Sequence, residues 1–496
     1  MAKAFPKNKA HLLTTLPLHQ KDVPFIDTVK LLQLPSHSKE CLENARRALR
    51  YLVDKDLYIE PPCQVRSSKF SHRLLREMEG YKFAPLPPHV EAKAGLLGFP
   101  VIEKEDTRLR AIFAPDLNKV NEAPSVVFPP KWVVDQHSVP PTKADAKDWT
   151  TVQFDLAAFF DQFKIAKELR PYFCFLLDGK VVALNRLPMG LRHAVYVAQS
   201  ALWQLLNFKR ESVVDTTIDN VRFTGPRQAV IRDAVAFLRR CAVVGATLNV
   251  VGCPSIRASP EDLRKLVVSQ LEPEEGDFLG THYLYGSSEK QNQEKTVRKL
   301  TFLRDITSEG GVFTRRQVAT IFGVLFYASS VVRAPLAPYY DALRYLRKVS
   351  AMGLDDWDVA ATNMPPRARN QLLSWLKFLI ANKPVPTTTQ ESVPRFVIIT
   401  DASGEGWGAI SIDTATGSLL EFSFPWTGLD VPRAQSSVWA EPEAIYLAVC
   451  RISSPGDTVV VLTDHQPAEF AKDKEYAKSW SLNQLVLRLQ RFRGCR

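Results

Sequence analysis

Two runs of β-branched and aromatic residues, TTVQFD at 150–155 and TTIDNVRFTG at 216–225, each bring an aspartate to the place where a strand gives out. Asp155 closes the first run and Asp219 sits at the turn of the second. Between them LNRLPMGLRHAVYVAQSALWQLL reads as a strand, a Pro-Met-Gly turn and a long amphipathic helix. Asp219-Asn220 is ordinary hairpin chemistry, because both residues tolerate positive φ and bond their own backbone. An isolated Asp155 would read as a helix N-cap. Two carboxylates, one at a strand end and one at a nearby hairpin tip, also answer the needs of two-metal phosphoryl transfer. There one cation lowers the pKa of an attacking hydroxyl and the other neutralises pyrophosphate.

The rest of the chain sets the setting for such a site. At 496 residues it is long enough for three or four packed units, and with 45% hydrophobic residues it can fill real cores. Its 64 Lys and Arg against 53 Asp and Glu leave a charge of +11, which favours a polyanionic partner. The seven cysteines are scattered without CxxC or Cys/His ligand spacing, which speaks against a disulfide framework or a zinc site and for a reducing compartment. The start lacks an apolar signal segment, and the longest apolar window, IFGVLFYASSVV, is too short to span a bilayer. An intracellular location, cytoplasmic or nuclear, with no membrane partner is the expectation.

Texture divides the chain. Residues 1–92 hold one helical stretch, KECLENARRALRYLVDKDLY, among Pro-rich connectors, and carry no assignment. Residues 93–289 alternate strands with Pro clusters and contain the two carboxylate runs. Helical patterning dominates 290–382, and KPVPTTTQESVPR at 383–395 reads as a linker with little to bury. From 396 to 496 the order is strand, strand, strand, helix, strand, helix.

FDLAAFFDQF, LPMGLRHAVYVAQ and TIDNVRF resemble, in order, motifs A, B and C of retroelement reverse transcriptases. GATLNVVG is similar to motif D, DFLGTHYLYG to the primer-grip hairpin, and RLRAIFAPDLNKVN to the fingers segment that holds a nucleotide triphosphate. The resemblance implies an α+β multidomain fold: a right-hand polymerase of fingers, palm and thumb, then a helical connection. It implies Asp155 and Asp219 as ligands of Mg2+, with Mn2+ able to substitute. Arg110, with Lys104 and Arg108 behind it, would contact the triphosphate; a solvated charged turn is the alternative. Phe160 would be the steric gate that excludes a ribose 2′-hydroxyl, against a plain core aromatic, since Phe159 is adjacent. Met189, Gly190 and Gln199 would line the nucleotide and template side. Two departures stand out. Val195 replaces a proline, and Asn220 replaces the second aspartate of motif C, keeping a carbonyl oxygen but losing a charge.

Past the linker, PRFVIITDASGEGWGAISI, SSVWAEPEAIYLAVCRI and DTVVVLTDHQPAEFA bring Asp401, Glu441 or Glu443, and Asp464 on strand, helix and strand. These resemble the metal site of a ribonuclease H domain, which cleaves the RNA of an RNA–DNA hybrid. At about 100° per residue Glu441 shares a face with Ala444, Ile445, Ala448 and Ile452, whereas Glu443 points away. Glu441 is therefore the expected ligand and Glu443 the solvated residue. The alternatives are a turn aspartate, a first-turn helix acid and an N-cap. This α/β domain is expected to lack its last strand and helix, with their fourth carboxylate, and so to be weak or inactive as a nuclease.

The combination implies an RNA-directed DNA polymerase with ribonuclease H, acting on RNA template, DNA primer, RNA–DNA hybrid and dNTPs. DASGEGWGA and the Asp-Asn turn lean toward the tyrosine-recombinase retrotransposons. A catalytically inactive RNA-binding scaffold is the second reading, and Asn220 is what speaks for it.

Overall fold

The computed structural model describes residues 10–19, 22–62, 64–103, 107–119, 148–249, 251–252, 254–272, 274–310, 312–351, 357–361, 363–387 and 393–492. Lys104 and the Pro clusters FPP and VPP lie outside them. The chain is mixed α+β and forms two compact units. One comprises 6–276 with 284–288, the other 277–283 with 289–496. The expected linker at 383–395 runs within the second unit; its residues 388–392 are outside the described set. Among the described residues, no helix is long and apolar enough to cross a membrane.

In the first unit α1 (Lys39–Leu49) and the residues around it pack into the same hydrophobic core as the carboxylate-bearing strands. Ile26, Leu31, Leu49, Tyr58 and Met78 share one hydrophobic cluster with Val152, Phe154 and Phe223. An antiparallel ribbon follows, β1 (Leu96–Glu103) against β2 (Arg108–Pro115). Strict alternation of buried and half-buried positions along β2 turns Leu109, Ala111 and Phe113 inward and leaves Arg108 and Arg110 on the other face. β3 (Trp149–Asp155), α2 (Ala194–Leu205), β4 (Val213–Thr217), β5 (Asn220–Pro226) and α3 (Arg227–Val244) complete the frame. The sheet order is β3-β5-β4, all antiparallel. Phe154, Phe223 and Phe237 knit β3 and β5 to α3, with ring centroids 5.8–6.4 Å apart. α3 ends where Gly245 takes φ 77° and donates to the Ala242 carbonyl, the left-handed stop that a Cβ would penalise.

α2 departs from expectation. It is buried around most of its circumference rather than amphipathic: Tyr196, Val197, Ala198, Gln199, Ser200, Ala201 and Leu202 are all buried. α1 covers the flank that an isolated hairpin would leave wet, with Tyr196 Oη donating to Asn44 Oδ1 at 2.9 Å. A small-residue helix with few charges suits burial on all sides.

The second unit begins with the hairpin 277–283. Leu279 and Gly280 both have positive φ (49° and 85°), as a tight two-residue turn requires. A Cβ on Gly280 would lie 1.8 Å from Tyr327 Oη, and that hydroxyl donates to the Leu279 carbonyl at 3.0 Å. α4 (Glu294–Ser308), α5 (Arg315–Val332), α6 (Tyr340–Ser350) and α7 (Pro366–Ile380) pack around Trp375, which is fully buried and stacks on Tyr339 at 4.8 Å. β6 (Phe396–Ala402), β7 (Gly406–Asp413), β8 (Leu419–Pro425), α8 (Ser437–Ile452), β9 (Val459–Leu462), α9 (Gln466–Asp473) and α10 (Trp480–Phe492) follow. The sheet order is β8-β7-β6-β9, with β9 parallel to β6; among the described residues no fifth strand joins it. Ala440, Ala444 and Ala448 line α8 against fully buried Ile398, so the helix lies close on the sheet.

Candidate active sites

The first constellation lies wholly in the first unit. β3 pairs with β5 so that Asp155 stands opposite Asn220, and Thr217 pairs with Asn220 across the β4–β5 turn. Ile218 and Asp219 are therefore the turn residues. The strained φ falls on neither Asp219 nor Asn220, as the sequence predicts, but on Ile218, at 54°. A β-branched residue there is disfavoured by roughly 1–2 kcal/mol, so its surroundings must hold it. Gln199 does so. Its side-chain carbonyl accepts from Ile218 N–H at 2.6 Å, and its amide donates to Thr216 Oγ1 at 3.0 Å.

Gln199, expected to line the nucleotide and template side, is only 3% exposed. It stands behind the hairpin because α2 is buried on that flank too, and both ends of its amide are engaged. Gln199→Leu removes both bonds at near-constant volume and leaves the Ile218 N–H without its partner. The expected cost is roughly 1–3 kcal/mol of stability, read as a fall in the melting temperature. If Asp219 carries chemistry, turnover of the folded enzyme should fall as well, whereas a packing role alone would leave it unchanged.

The carboxylates are each held by an asparagine. Asn220 Nδ2 donates to Asp219 Oδ1 at 3.0 Å. The Asn249 side chain donates to the Asp155 carboxylate, and its backbone N–H donates to the Asp155 carbonyl at 2.8 Å. Asn249 is a partner of Asp155 that the sequence reading does not single out. Its signal was its position just past the Gly-terminated α3, but nothing local in the sequence says which carboxylate it reaches. Asp155 does not cap a helix; the short 3-10 turn at 159–162 is preceded by Ala158 in a left-handed conformation. Burial first, and then the neighbouring Asp155 charge, push the Asp219 carboxyl up to about 6 from its ordinary 3.8, with Arg110 and the Asn220 bond opposing.

Arg110 thus lies within electrostatic reach of Asp219. Its Nε bonds Glu103 at 2.6 Å and its Nη1 lies 3.5 Å from Met189 Sδ. Arg108 shares Glu103 at 3.3 Å and contacts His19 Nδ1 at 2.8 Å, so both arginines are partnered rather than loosely solvated. Gly190 has φ 118°, and a Cβ there would come within 2.4 Å of the Phe113 carbonyl. Only glycine lets the Met189 turn lie against β2, where Met189 accepts from Phe113 N–H at 3.1 Å. Phe159 is buried and packs edge-on against Phe163 at 5.0 Å, whereas Phe160 is half-buried. The structure therefore brings Asp155, Asp219, Asn220, Arg110, Met189 and Gly190 together. It leaves Phe160 partly open and puts Arg108 one position further back.

The second constellation lies wholly in the second unit. β6 carries Asp401 in its penultimate pair, opposite Gly408, so Asp401 is a strand residue and not a turn residue. Asp464 follows the parallel strand β9 and is not a cap, since His465 precedes α9. Glu441, in the second turn of α8, is 8% exposed. Its carboxyl is raised by burial first, then by Asp401 and Asp464, against a hydrogen bond from the Ala402 backbone. Its Oε2 is buried without a hydrogen-bond partner. Glu443 is not solvated, as the helical wheel suggests, but is gripped by both arms of Arg488 on α10 at 2.5 and 2.7 Å. That guanidinium also stacks 3.6 Å from the Tyr446 ring centroid. The face opposite the sheet is covered by α10, a packing partner that periodicity alone does not reveal.

Among the described residues, no three His, Cys, Asp or Glu side chains gather tightly enough to hold one metal ion. The chemistry of the donors nonetheless suits a hard divalent cation: oxygen ligands, a carboxyl raised by burial and a neighbouring like charge, and an orphaned buried Glu441 oxygen.

No protein-family model matches the chain, and no curated protein matches it. Among solved structures it is similar to the foamy viral protease-reverse transcriptase dRH in complex with double-stranded DNA. That likeness has a TM-score of 0.48 at 13% identity over 97% of this chain and 83% of the other. The foamy viral protease-reverse transcriptase in complex with dsDNA gives 0.45 at 14% over 95% of each chain. The same enzyme in complex with an RNA/DNA hybrid gives 0.45 at 13% over 94% of this chain and 61% of that one.

Proposed function

We propose that the chain is an RNA-directed DNA polymerase with an associated ribonuclease H-like domain. The observation that carries this reading is the Asp155–Asp219 pair. A strand-end and a hairpin-turn carboxylate share one site, where burial first and then the charge of Asp155 push the Asp219 carboxyl up to about 6, beside an arginine, a methionine and a backbone turn kept open by Gly190. Burial and like-charge repulsion at one carboxyl are the arrangement that a bound cation would relieve. The ordered motif resemblance supplies the reaction class. Fingers, palm and thumb in the first unit and the start of the second, and the lean toward tyrosine-recombinase retrotransposons, belong to the same proposal.

Asp155 and Asp219 would hold Mg2+ or Mn2+, and Asp401, Glu441 and Asp464 would do so in the second site. When bound, these cations activate an attacking hydroxyl or water and neutralise the leaving group. The chain's own residues do the rest. Arg110 and Arg108 receive triphosphate charge, with Lys104 as a further candidate. Met189 and Gly190 give a base an apolar, close-fitting floor. Phe160 crowds the sugar 2′ position. A net charge of +11 tracks the phosphates of template and primer with little sequence readout.

Phe160→Val opens the sugar site, and ribonucleotide incorporation is expected to rise by about 10-fold or more relative to deoxynucleotide incorporation. An unchanged ratio would return Phe160 to a packing role. The inactive-scaffold reading keeps one observation in its favour: Asn220 already satisfies an Asp219 oxygen as an amide donor. Primer extension on an RNA template with Mg2+ or Mn2+ decides between them. Extension by the unmodified chain supports the enzyme. Silence with rescue by Asn220→Asp means the scaffold persists without its chemistry. Silence from both, in folded protein that retains template, supports the binding protein.

A further inference from the structure

Tyr340 opens α6 and Trp480 opens α10, and their rings meet edge to face at 5.0 Å within the second unit. Trp480 is 48% exposed. A lone exposed ring would mean little, but this one is set among cations. The Arg367 guanidinium lies 5.9 Å from the Trp480 centroid and that of Arg347 lies 5.8 Å from Tyr340. Arg344 and Lys348 follow Tyr340 at i+4 and i+8, on the same helix face, and both are exposed. The acid of the cluster, Asp341, is already engaged by Arg367 at 2.7 Å and by Gln371 at 3.1 Å. The rings are also fixed in place. Tyr340 Oη donates to the Lys478 carbonyl at 3.0 Å, and Asn483 anchors α10 to the Ala337 carbonyl at 2.9 Å.

We propose that this surface binds single-stranded nucleic acid, with an unpaired base on the Trp480–Tyr340 pair and adjacent phosphates on Arg344, Lys348 and Arg367. A rigid exposed ring flanked by arginines offers what an unstacked base and its phosphates need at once. A duplex hides its base faces, and an acidic polypeptide would satisfy the arginines without using the rings. The surface does not depend on chemistry at Asp155 or at Glu441.

The test is photocrosslinking of the full chain, in EDTA, to a 5-iodouridine oligonucleotide of about 16 nucleotides, with adducts mapped by mass spectrometry. Adducts at Tyr340 or Trp480 are expected, competed by unlabelled single strand but not by an equal amount of duplex. Arg344→Glu with Lys348→Glu should cut the yield there about tenfold at unchanged melting temperature. Trp480→Phe should keep part of it. Adducts confined to other segments, a yield indifferent to the charge reversal, or equal competition by duplex or by polyglutamate would each overturn the proposal.

Discussion

Asp219→Asn is expected to abolish primer extension, by roughly 10³-fold or more, since it removes a carboxylate from the proposed cation site. The same substitution should stabilise the metal-free protein. The Asp219 carboxyl titrates at about 6 in the folded chain against 3.8 ordinarily. The folded state therefore holds this proton more tightly than the unfolded one. As pH rises from about 4 to about 6 the unfolded chain ionises first, stability falls, and the deficit is fully present above 6. Its ceiling is about 3 kcal/mol. Melting in EDTA at pH 8 should place Asp219→Asn above the unmodified protein. Added Mg2+ should raise the unmodified protein and leave the variant still. Asn220→Asp should behave oppositely in EDTA, because a second charge beside Asp219 deepens the repulsion. Equal melting of all three, with and without Mg2+, would remove the electrostatic case for a cation site here.

Glu441→Gln carries the second large effect. Glu441, on the sheet-facing side of α8, is buried with one oxygen unpartnered and the charges of Asp401 and Asp464 nearby. A neutral amide of the same shape keeps a carbonyl for the Ala402 N–H and sheds the buried charge. The variant should melt higher than the unmodified protein at pH 8 in EDTA. That advantage should shrink as the pH falls toward the ordinary carboxylate range, because the raised carboxyl penalises the native state only when it is ionised. Any Mg2+-dependent cleavage of an RNA–DNA hybrid should fall by roughly 10³-fold. Glu443→Gln is the informative contrast. It weakens the bidentate bond to Arg488 and should destabilise the α8–α10 contact with a smaller effect on cleavage. If Glu443→Gln abolished cleavage and Glu441→Gln did not, the assignment on α8 would be reversed.

Much of the local setting of both candidate sites was legible in the residue pattern for a simple reason. A carboxylate at a strand end is announced by the apolar run before it, and strand period and helix period fix which residues share a face. The strand-end and turn settings of Asp155, Asp219, Asp401 and Asp464 are readable in this way, as is the burial of Glu441 on the sheet-facing side of α8. So is the stop of α3 at Gly245. The roles of Gln199, Asn249 and Arg488 were not, because each acts on a group distant in sequence. Gln199 reaches Ile218, Asn249 reaches Asp155, and Arg488 reaches Glu443. The choice depends on which helices close over which strands.

The sequence by itself determined the carboxylates, their strand and helix settings, and the basic charge, since these follow from local periodicity and residue chemistry. The tertiary structure alone decided that α2 is buried on its far side, which turns Gln199 into the clamp of a strained hairpin. It also decided that Ile218, not the Asp-Asn pair, takes the left-handed backbone. Local propensity favours the short polar residues there. A buried helix with two hydrogen bonds to offer outweighs that preference, at a site where the direction of one carboxylate matters more than the comfort of one φ angle.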